Sequence, residues 1–156
     1  MKFQKNLNRV LEVFLVILMS ILVVDVLLQV FSRYLLSSPS SFTDELAGFL
    51  LIWVGILGSA YVAGRHEHLA IDILIQRSSP ARQRNLRFVI HAIILLFALG
   101  VMVVGGASLV YSRFVLDVKS AALQLPLGFV YSVLPISGAI IVYYEVIHMI
   151  DIKKSK

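Results

Sequence analysis

Four long apolar runs occupy most of this chain of 156 residues. They extend approximately over residues 10–36, 46–63, 88–111 and 125–150. A helix needs about 18–20 apolar residues to cross a bilayer core of about 30 Å, and each run approaches or exceeds that length. A soluble domain of this size could bury one such run but not four. The runs therefore predict an all-α membrane protein, a single integral membrane domain over residues 1–156 with four transmembrane helices.

The short connections between the runs leave no room for a soluble catalytic domain. Hydrophobic residues make up 59% of the chain and cysteine is absent, which excludes disulfides, thiolate metal sites and thiol redox chemistry. The sequence patterns of a serine nucleophile elbow, a phosphate-binding glycine loop, a zinc protease and a dinucleotide fold are also absent. We therefore expect no enzyme activity, no catalytic residues and no cofactor.

The distribution of Lys and Arg predicts how the chain crosses the membrane. With four spans, 11 of the 14 basic residues fall on the side of the two termini and the central connection, and 3 fall on the other side. An excess of Lys and Arg marks the cytoplasmic side. We therefore expect both termini in the cytoplasm. This orientation, rather than nucleic-acid binding, explains the net charge of +5, because no basic and aromatic patch typical of nucleic-acid binding is present.

Polar residues interrupt the second half of the first run. Asp25, Gln29 and Arg33 are spaced i, i+4 and i+8, so they share one face of the helix. An ionisable side chain within a span is costly and normally faces protein or water. Two interpretations of Asp25 remain open: a contact with another helix or subunit, or a proton or ion relay.

The second run begins with two acidic residues and carries a bulky aromatic at its centre. Asp44 and Glu45 fall in the first helical turn, where anions complement the positive end of the helix dipole. Trp53 lies in mid-run, away from the interfacial belt where Trp is usual. It is interpreted as a packing anchor, with substrate stacking as the alternative. A strip of small residues on one face would let another helix approach closely, and it comprises Gly55, Gly58 and Ser59.

The connection between the second and third runs predicts a short amphipathic helix over residues 68–78. It is too short to span the bilayer and would lie in the plane of the cytoplasmic interface. His68 and Asp72 share its polar face.

Histidine and glutamate residues elsewhere give no ligand set in the sequence. His66, Glu67 and His68 are adjacent, but zinc needs three or four ligands in a defined geometry. His91 and His148 lie in other segments. We therefore expect no metal site. Glu145, near the end of the fourth run, is expected to reach the cytoplasmic interface by snorkelling.

An ordered set of features between Arg33 and Arg84 resembles the small transmembrane subunit, the DctQ-like family, of tripartite ATP-independent periplasmic (TRAP) transporters. The set comprises, in order, Arg33-Tyr34, Asp44-Glu45, Trp53, Gly55, Gly58-Ser59-Ala60, Arg65, His68, Asp72, Leu74, Pro80 and Arg84. The family also has four spans, cytoplasmic termini and about this length. Family members often place a basic or aromatic residue shortly after the acidic pair, whereas this chain has Gly48.

The resemblance implies the small membrane subunit of a sodium-coupled, binding-protein-dependent transporter in the bacterial inner membrane. Its substrate would be an organic acid: a C4-dicarboxylate, sialic acid or another sugar acid. The chain would act as a scaffold for a large elevator-type membrane subunit, a separate chain, in a system that includes a periplasmic substrate-binding protein. Its remaining contacts would be with membrane lipids.

Within that resemblance, eight residues are expected to have structural or subunit-interface roles and none is expected to bind substrate. They are Asp25, Arg33, Asp44, Glu45, Trp53, Arg65, His68 and Asp72. The alternative function is an autonomous four-helix proton-coupled transporter, which needs a carboxylate within the membrane and for which Asp25 is the candidate. A membrane-embedded assembly or regulatory protein outside transport is a further hypothesis.

Overall fold

The computed structural model describes residues 2–35, 41–65 and 80–154, most of which are helical. A π-helical segment, Ala98–Gly105, links the third and fourth α-helices. The α-helices are α1 Lys2–Leu35, α2 Ser41–Gly64, α3 Pro80–Phe97, α4 Gly106–Val115, α5 Leu127–Tyr131 and α6 Val133–Lys154.

Four stretches of the described residues are long and apolar enough to cross a membrane. They are Gln4–Tyr34, Ser41–Gly64, Arg82–Val115 and Leu127–Ile152. The third span thus combines α3, the π segment and α4, and the fourth combines α5 and α6. The prediction of an all-α membrane protein with four spans is confirmed, whereas the predicted interfacial helix over residues 68–78 lies outside the described residues.

The first span packs through a narrow seam. Leu11, Leu18 and Asp25 are its buried side chains, seven residues apart, with Leu15 and Leu22 half-buried between them. This alternating spacing of four and three residues is that of a coiled-coil seam, and it faces α2. Most other apolar side chains of α1 are exposed and therefore available to lipid or to another protein.

The spans are arranged as an open row in the order 1–2–4–3. α2 packs against α1 on one side and against α5 and α6 on the other, and α6 also packs against all three parts of the third span. Across the described residues, the backbones of the first and third spans make no contact with each other. A closed four-helix bundle in this order would require that contact, so the first and third spans form the two edges of the row.

Glycine permits close approach between spans of the row. A Cβ atom on Gly138 of α6 would lie 2.7 Å from Cβ of Met102 in the π segment, closer than side-chain atoms pack. A Cβ on Gly106 would likewise lie 3.0 Å from Leu134. Membrane helices lack a hydrophobic driving force between them and rely on such close packing. At Gly55 and Gly58 a Cβ would meet nothing within 4 Å, so the small-residue strip of α2 makes no close contact among the described residues.

Gly138→Ala should destabilise the chain. The added methyl overpacks the contact between α6 and the π segment, which typically costs about 1–3 kcal/mol. Thermal unfolding in detergent micelles, followed by the fluorescence of the single tryptophan, measures the change. The matched control is Gly55→Ala, which gains the same helix propensity without a clash. Equal melting temperatures for the two variants would contradict the packing described here.

Candidate functional site

Polar side chains at both ends of the row and at its centre connect the spans. We call the end that contains Arg33, Asp44 and residues 116–126 the loop end. The opposite end, which contains Arg65 and Arg82, is called the basic end. Polar groups in a span are normally satisfied by protein contacts, so these positions indicate what the chain is built to do.

At the loop end, one carboxylate of α2 holds the connection between the third and fourth spans. Glu45 accepts hydrogen bonds from the backbone N–H groups of Ala121, Ala122 and Leu123, at 2.9, 2.9 and 2.7 Å. Hydrogen bonds to an ionised acceptor are roughly twice as strong as neutral ones. The acidic start of α2 therefore fixes a loop that lies more than 70 residues further along the chain.

The loop is itself ordered by internal hydrogen bonds. The N–H of Ser120 donates to the carbonyl of Leu125 at 2.9 Å, and the N–H of Leu127 donates to the carbonyl of Val118 at 2.9 Å. The buried Ser120 hydroxyl accepts from the N–H of Leu125 at 3.2 Å. Residues 118–127 thus form a compact turn that presents its central amides to Glu45.

Arg33 and Asp44 form an ion pair that links the end of α1 to the start of α2. The Nη2 and Oδ1 atoms are 4.0 Å apart, and both side chains are about half exposed. Such an exposed pair contributes at most about 1 kcal/mol. It serves to align the two helix ends more than to stabilise them.

Trp53 connects three helices at the centre of the second span. Its indole Nε1 donates to the carbonyl of Val130 in α5 at 3.0 Å, close to the helix break at Ser132. Its ring centroid lies 6.3 Å from that of Phe14 in α1. Both its ring and its N–H are therefore engaged within the chain.

Asp25 lies in the seam between α1 and α2. It is 5% exposed, and its Oδ2 atom has no hydrogen-bond partner among the described residues. Beside it runs a groove of about 400 Å³ whose lining is predominantly apolar and includes Phe42 and Leu46 of α2. The structure thus places the carboxylate against the neighbouring helix.

At the basic end, α6 contacts the first two spans. The Tyr144 hydroxyl donates to Oδ1 of Asn8, and the ring of Tyr144 packs so closely on Gly64 that a Cβ there would lie 2.7 Å from it. The Nη2 atom of Arg65 lies 3.8 Å from Oε2 of Glu12, and its Cζ atom lies 4.8 Å from the ring centroid of Tyr61. Arg65 thereby connects the end of α2 to the start of α1.

Glu145, the residue after Tyr144 on α6, connects that helix to the third span. Glu145 is 0% exposed, and its Oε2 atom lies 2.6 Å from Nδ1 of His91 in α3. The His148 ring lies 5.4 Å from that of His91. The prediction that Glu145 snorkels to the interface is wrong, because its carboxylate is enclosed between α3 and α6.

The site residues predicted from the sequence do not converge on one pocket. Arg33, Asp44 and Glu45 lie at the loop end, Arg65 lies at the basic end, and Trp53 lies between them. His68 and Asp72 lie outside the described residues. The cluster of His91, Glu145 and His148 was missed by sequence reasoning. The i, i+3 spacing of Glu145 and His148 is the one signal of this cluster in the sequence, because it places both side chains on one helix face. The sequence does not show which helix packs against that face.

These features define a class: a multi-pass membrane protein whose described polar side chains mainly connect its own helices. A family model described as "Tripartite ATP-independent periplasmic transporters, DctQ component" matches residues 22–154. The chain belongs to this family and is a small TRAP transporter subunit of the inner membrane, a transport component rather than an enzyme.

Two relatives agree with that assignment. A protein of Haemophilus influenzae whose name assigns it as a TRAP transporter small permease protein is 27% identical over 90 residues, covering 58% of this chain and 56% of the relative. The "Isethionate TRAP transporter permease protein DctMQ" of Oleidesulfovibrio alaskensis is 27% identical over 101 residues, covering 65% of this chain and 16% of the relative. The matches thus span about half of the first relative and a small part of the second.

Glu45→Gln should loosen the loop between α4 and α5. The neutral amide removes the charge that strengthens three hydrogen bonds, so exchange of the Ala121, Ala122 and Leu123 amides should accelerate by about tenfold. Hydrogen–deuterium exchange of the full chain in micelles measures this. Asp44→Asn is the control, because it removes a neighbouring carboxylate that pairs with Arg33 rather than with the loop amides. Unchanged protection in Glu45→Gln would show that the carboxylate does not hold the loop.

Trp53→Phe should lower the stability of the chain by about 0.5–1.5 kcal/mol from the lost hydrogen bond alone. The phenyl ring retains most of the packing against α1 but leaves the Val130 carbonyl without its donor. Unfolding followed by circular dichroism measures the difference. The control is Leu51→Phe, on the exposed side of the same helix, which should leave stability unchanged. A Trp53→Phe variant as stable as that control would argue against the anchor.

Proposed function

We propose that this chain is the non-transporting scaffold subunit of a sodium-coupled, binding-protein-dependent organic acid transporter. The large elevator-type membrane subunit would carry the solute and sodium. The observation that carries the proposal is the open row of spans. Solute sites in transporters lie near the bilayer midplane between helices that can move against one another. Here the first and third spans are at opposite edges, and the described residues between them are packed side chains.

Fixed contacts support a static rather than a moving unit. Glu45 ties the second span to the connection between the third and fourth, and Trp53 ties it to α5. Tyr144 and Glu145 tie α6 to both edges of the row. A scaffold beside a moving partner needs such internal bracing, whereas alternating access needs packing that can rearrange.

The partnership with a large subunit rests on the fused relative. Its name describes a single permease protein, DctMQ, and the segment similar to this chain is 16% of it. The remainder of that protein would correspond to the large subunit with which this chain associates. The exposed apolar face of α1 and the open small-residue face of α2 are surfaces of this chain that lipid or the large subunit could cover.

The proposed orientation places the loop end in the periplasm. Most basic residues lie at the basic end, which the excess of Lys and Arg assigns to the cytoplasm together with both termini. The loop held by Glu45 would then face the periplasm, on the side from which the substrate-binding protein approaches. The substrate class is an organic acid, a carboxylate such as a C4-dicarboxylate or sialic acid. The isethionate in one relative's name also makes a sulfonate a candidate.

One observation favours the alternative of an autonomous proton-coupled transporter. Asp25 is a buried carboxylate within a span, and its Oδ2 atom has no hydrogen-bond partner among the described residues. Intramembrane carboxylates of this kind can serve as proton relays. Against it, Asp25 faces the α1–α2 seam and not a passage between moving helices.

Reconstitution into liposomes separates the two functions. The chain alone should give no organic acid uptake, whereas the chain with the large subunit and binding protein should give sodium-dependent uptake. Asp25→Asn should retain that uptake, because the scaffold function does not require a titrating group at this position. Uptake or proton release by the chain alone, lost in Asp25→Asn, would instead establish the autonomous transporter.

A further inference from the structure

A buried cluster at the basic end has the composition of a metal site. His91 of α3 and Glu145 and His148 of α6 each offer one ligand atom, and these atoms all lie within 4.8 Å of one another. Two imidazoles and one carboxylate are the protein ligands of many zinc enzymes and of non-haem iron sites. The i, i+3 spacing of Glu145 and His148 places both on one helix face, as in metal sites built inside helical bundles.

The burial of the cluster calls for a positive charge. Glu145 is 0% exposed, His148 is 2% exposed, and the His91 side chain is 14% exposed. A carboxylate removed from water carries a cost of several kcal/mol unless a cation or hydrogen bonds compensate it. Glu145 Oε2 meets His91, but Glu145 Oε1 is buried and has no hydrogen-bond partner among the described residues.

We infer that His91, Glu145 and His148 form a binding site for a divalent first-row transition metal ion, with Zn²⁺ as the reference ion. Ligand atoms around a tetrahedral zinc with bonds of about 2.0–2.2 Å lie about 3.3 Å apart, so each atom here moves by less than about 1 Å on binding. Water fills the fourth position. Mg²⁺ and Ca²⁺ bind poorly, because these hard cations prefer sets of oxygen ligands.

The place of the site in the row gives the ion a structural role. Within the basic end, this cluster joins α3 to α6, while Tyr144 joins α6 to α1 through Asn8. His91 lies one helical turn from the exposed Arg87, so the ion reaches the site from the basic end. Bound metal fixes the edge formed by the third span to the rest of the row. This role is independent of the proposed transport function.

The test uses the full chain, purified in detergent without a histidine tag and stripped of metal by a chelator. Titration with Zn²⁺ against a chromophoric competitor should give one tightly bound ion per chain. Glu145→Gln and His148→Gln should each weaken zinc affinity by at least about 100-fold, since each removes a ligand. The matched control replaces the other two histidines, His66→Gln with His68→Gln, and should keep the wild-type affinity.

A second readout is thermal stability with and without metal. Zn²⁺ should raise the unfolding temperature of the wild type and of the control, because an ion that binds only the folded state stabilises it. Zn²⁺ should not raise the unfolding temperature of Glu145→Gln. Mg²⁺ should leave the unfolding temperatures of the wild type, the control and Glu145→Gln unchanged. Unfolding in the absence of metal establishes that each variant is folded, and His91→Gln replaces any variant that is not.

Three results would overturn the inference. The first is a millimolar or weaker dissociation constant for zinc in the wild-type chain, a result that needs no variant to interpret. The second is tight zinc binding that survives both Glu145→Gln and His148→Gln. The third is loss of binding in the His66 and His68 control, which would move the site to residues 66–68.

Discussion

Close packing around α6 is the constraint on which the rest of the structure depends. In lipid no hydrophobic effect drives helices together, so their association rests on shape complementarity and on interhelical hydrogen bonds. α6 has both. Gly138 lets the π segment approach at van der Waals distance, and Tyr144 and Glu145 reach to opposite sides of the row. The fourth span is accordingly the most buried of the four.

An open row leaves more of its helix surface exposed than a closed bundle would. Among the described residues, many large apolar side chains remain exposed, including most of those on α1. A membrane protein of this shape encloses little space of its own, but it extends the lateral surface of whatever it joins. The polar contacts lie mainly at the two ends, where Glu45 and Arg65 fix the helices in place. Bracing at both ends keeps the row rigid, as the proposed scaffold role requires.

Much of the fold could be predicted from the sequence because hydropathy and length decide it. Apolar runs of this length cross a bilayer as helices, because a helix satisfies its backbone hydrogen bonds within the segment. The acidic start of α2 was identifiable from the dipole rule, but that Glu45 binds the amides of a distant loop was not. That contact depends on which spans are neighbours, and hydropathy does not encode the order of helices in the membrane plane.

The same gap explains why the contacts at the basic end could not be predicted from the sequence. Glu145 looked like a snorkelling residue because its distance from the helix end allowed it, and His91 and His148 looked unrelated because they lie on different helices. Once α3 and α6 are neighbours, all three side chains meet. By contrast, the small residues of α2 suggested close helix packing, yet Gly55 has open space around it among the described residues. A sequence shows that a face can be approached, not whether this chain or another molecule approaches it.

The order of the spans is tested most directly by a distance between the two edges of the row. The chain has no cysteine, so Val16→Cys and Leu99→Cys introduce spin-label sites on exposed positions of the first and third spans. Double electron–electron resonance in lipid nanodiscs measures the distance between the two labels, which should exceed about 16 Å, at least two helix spacings. Strong dipolar broadening of the continuous-wave spectrum, as expected for helices one spacing of about 8–10 Å apart, would mean that the first and third spans touch and that the helices close into a bundle. The account of an open scaffold would then be wrong.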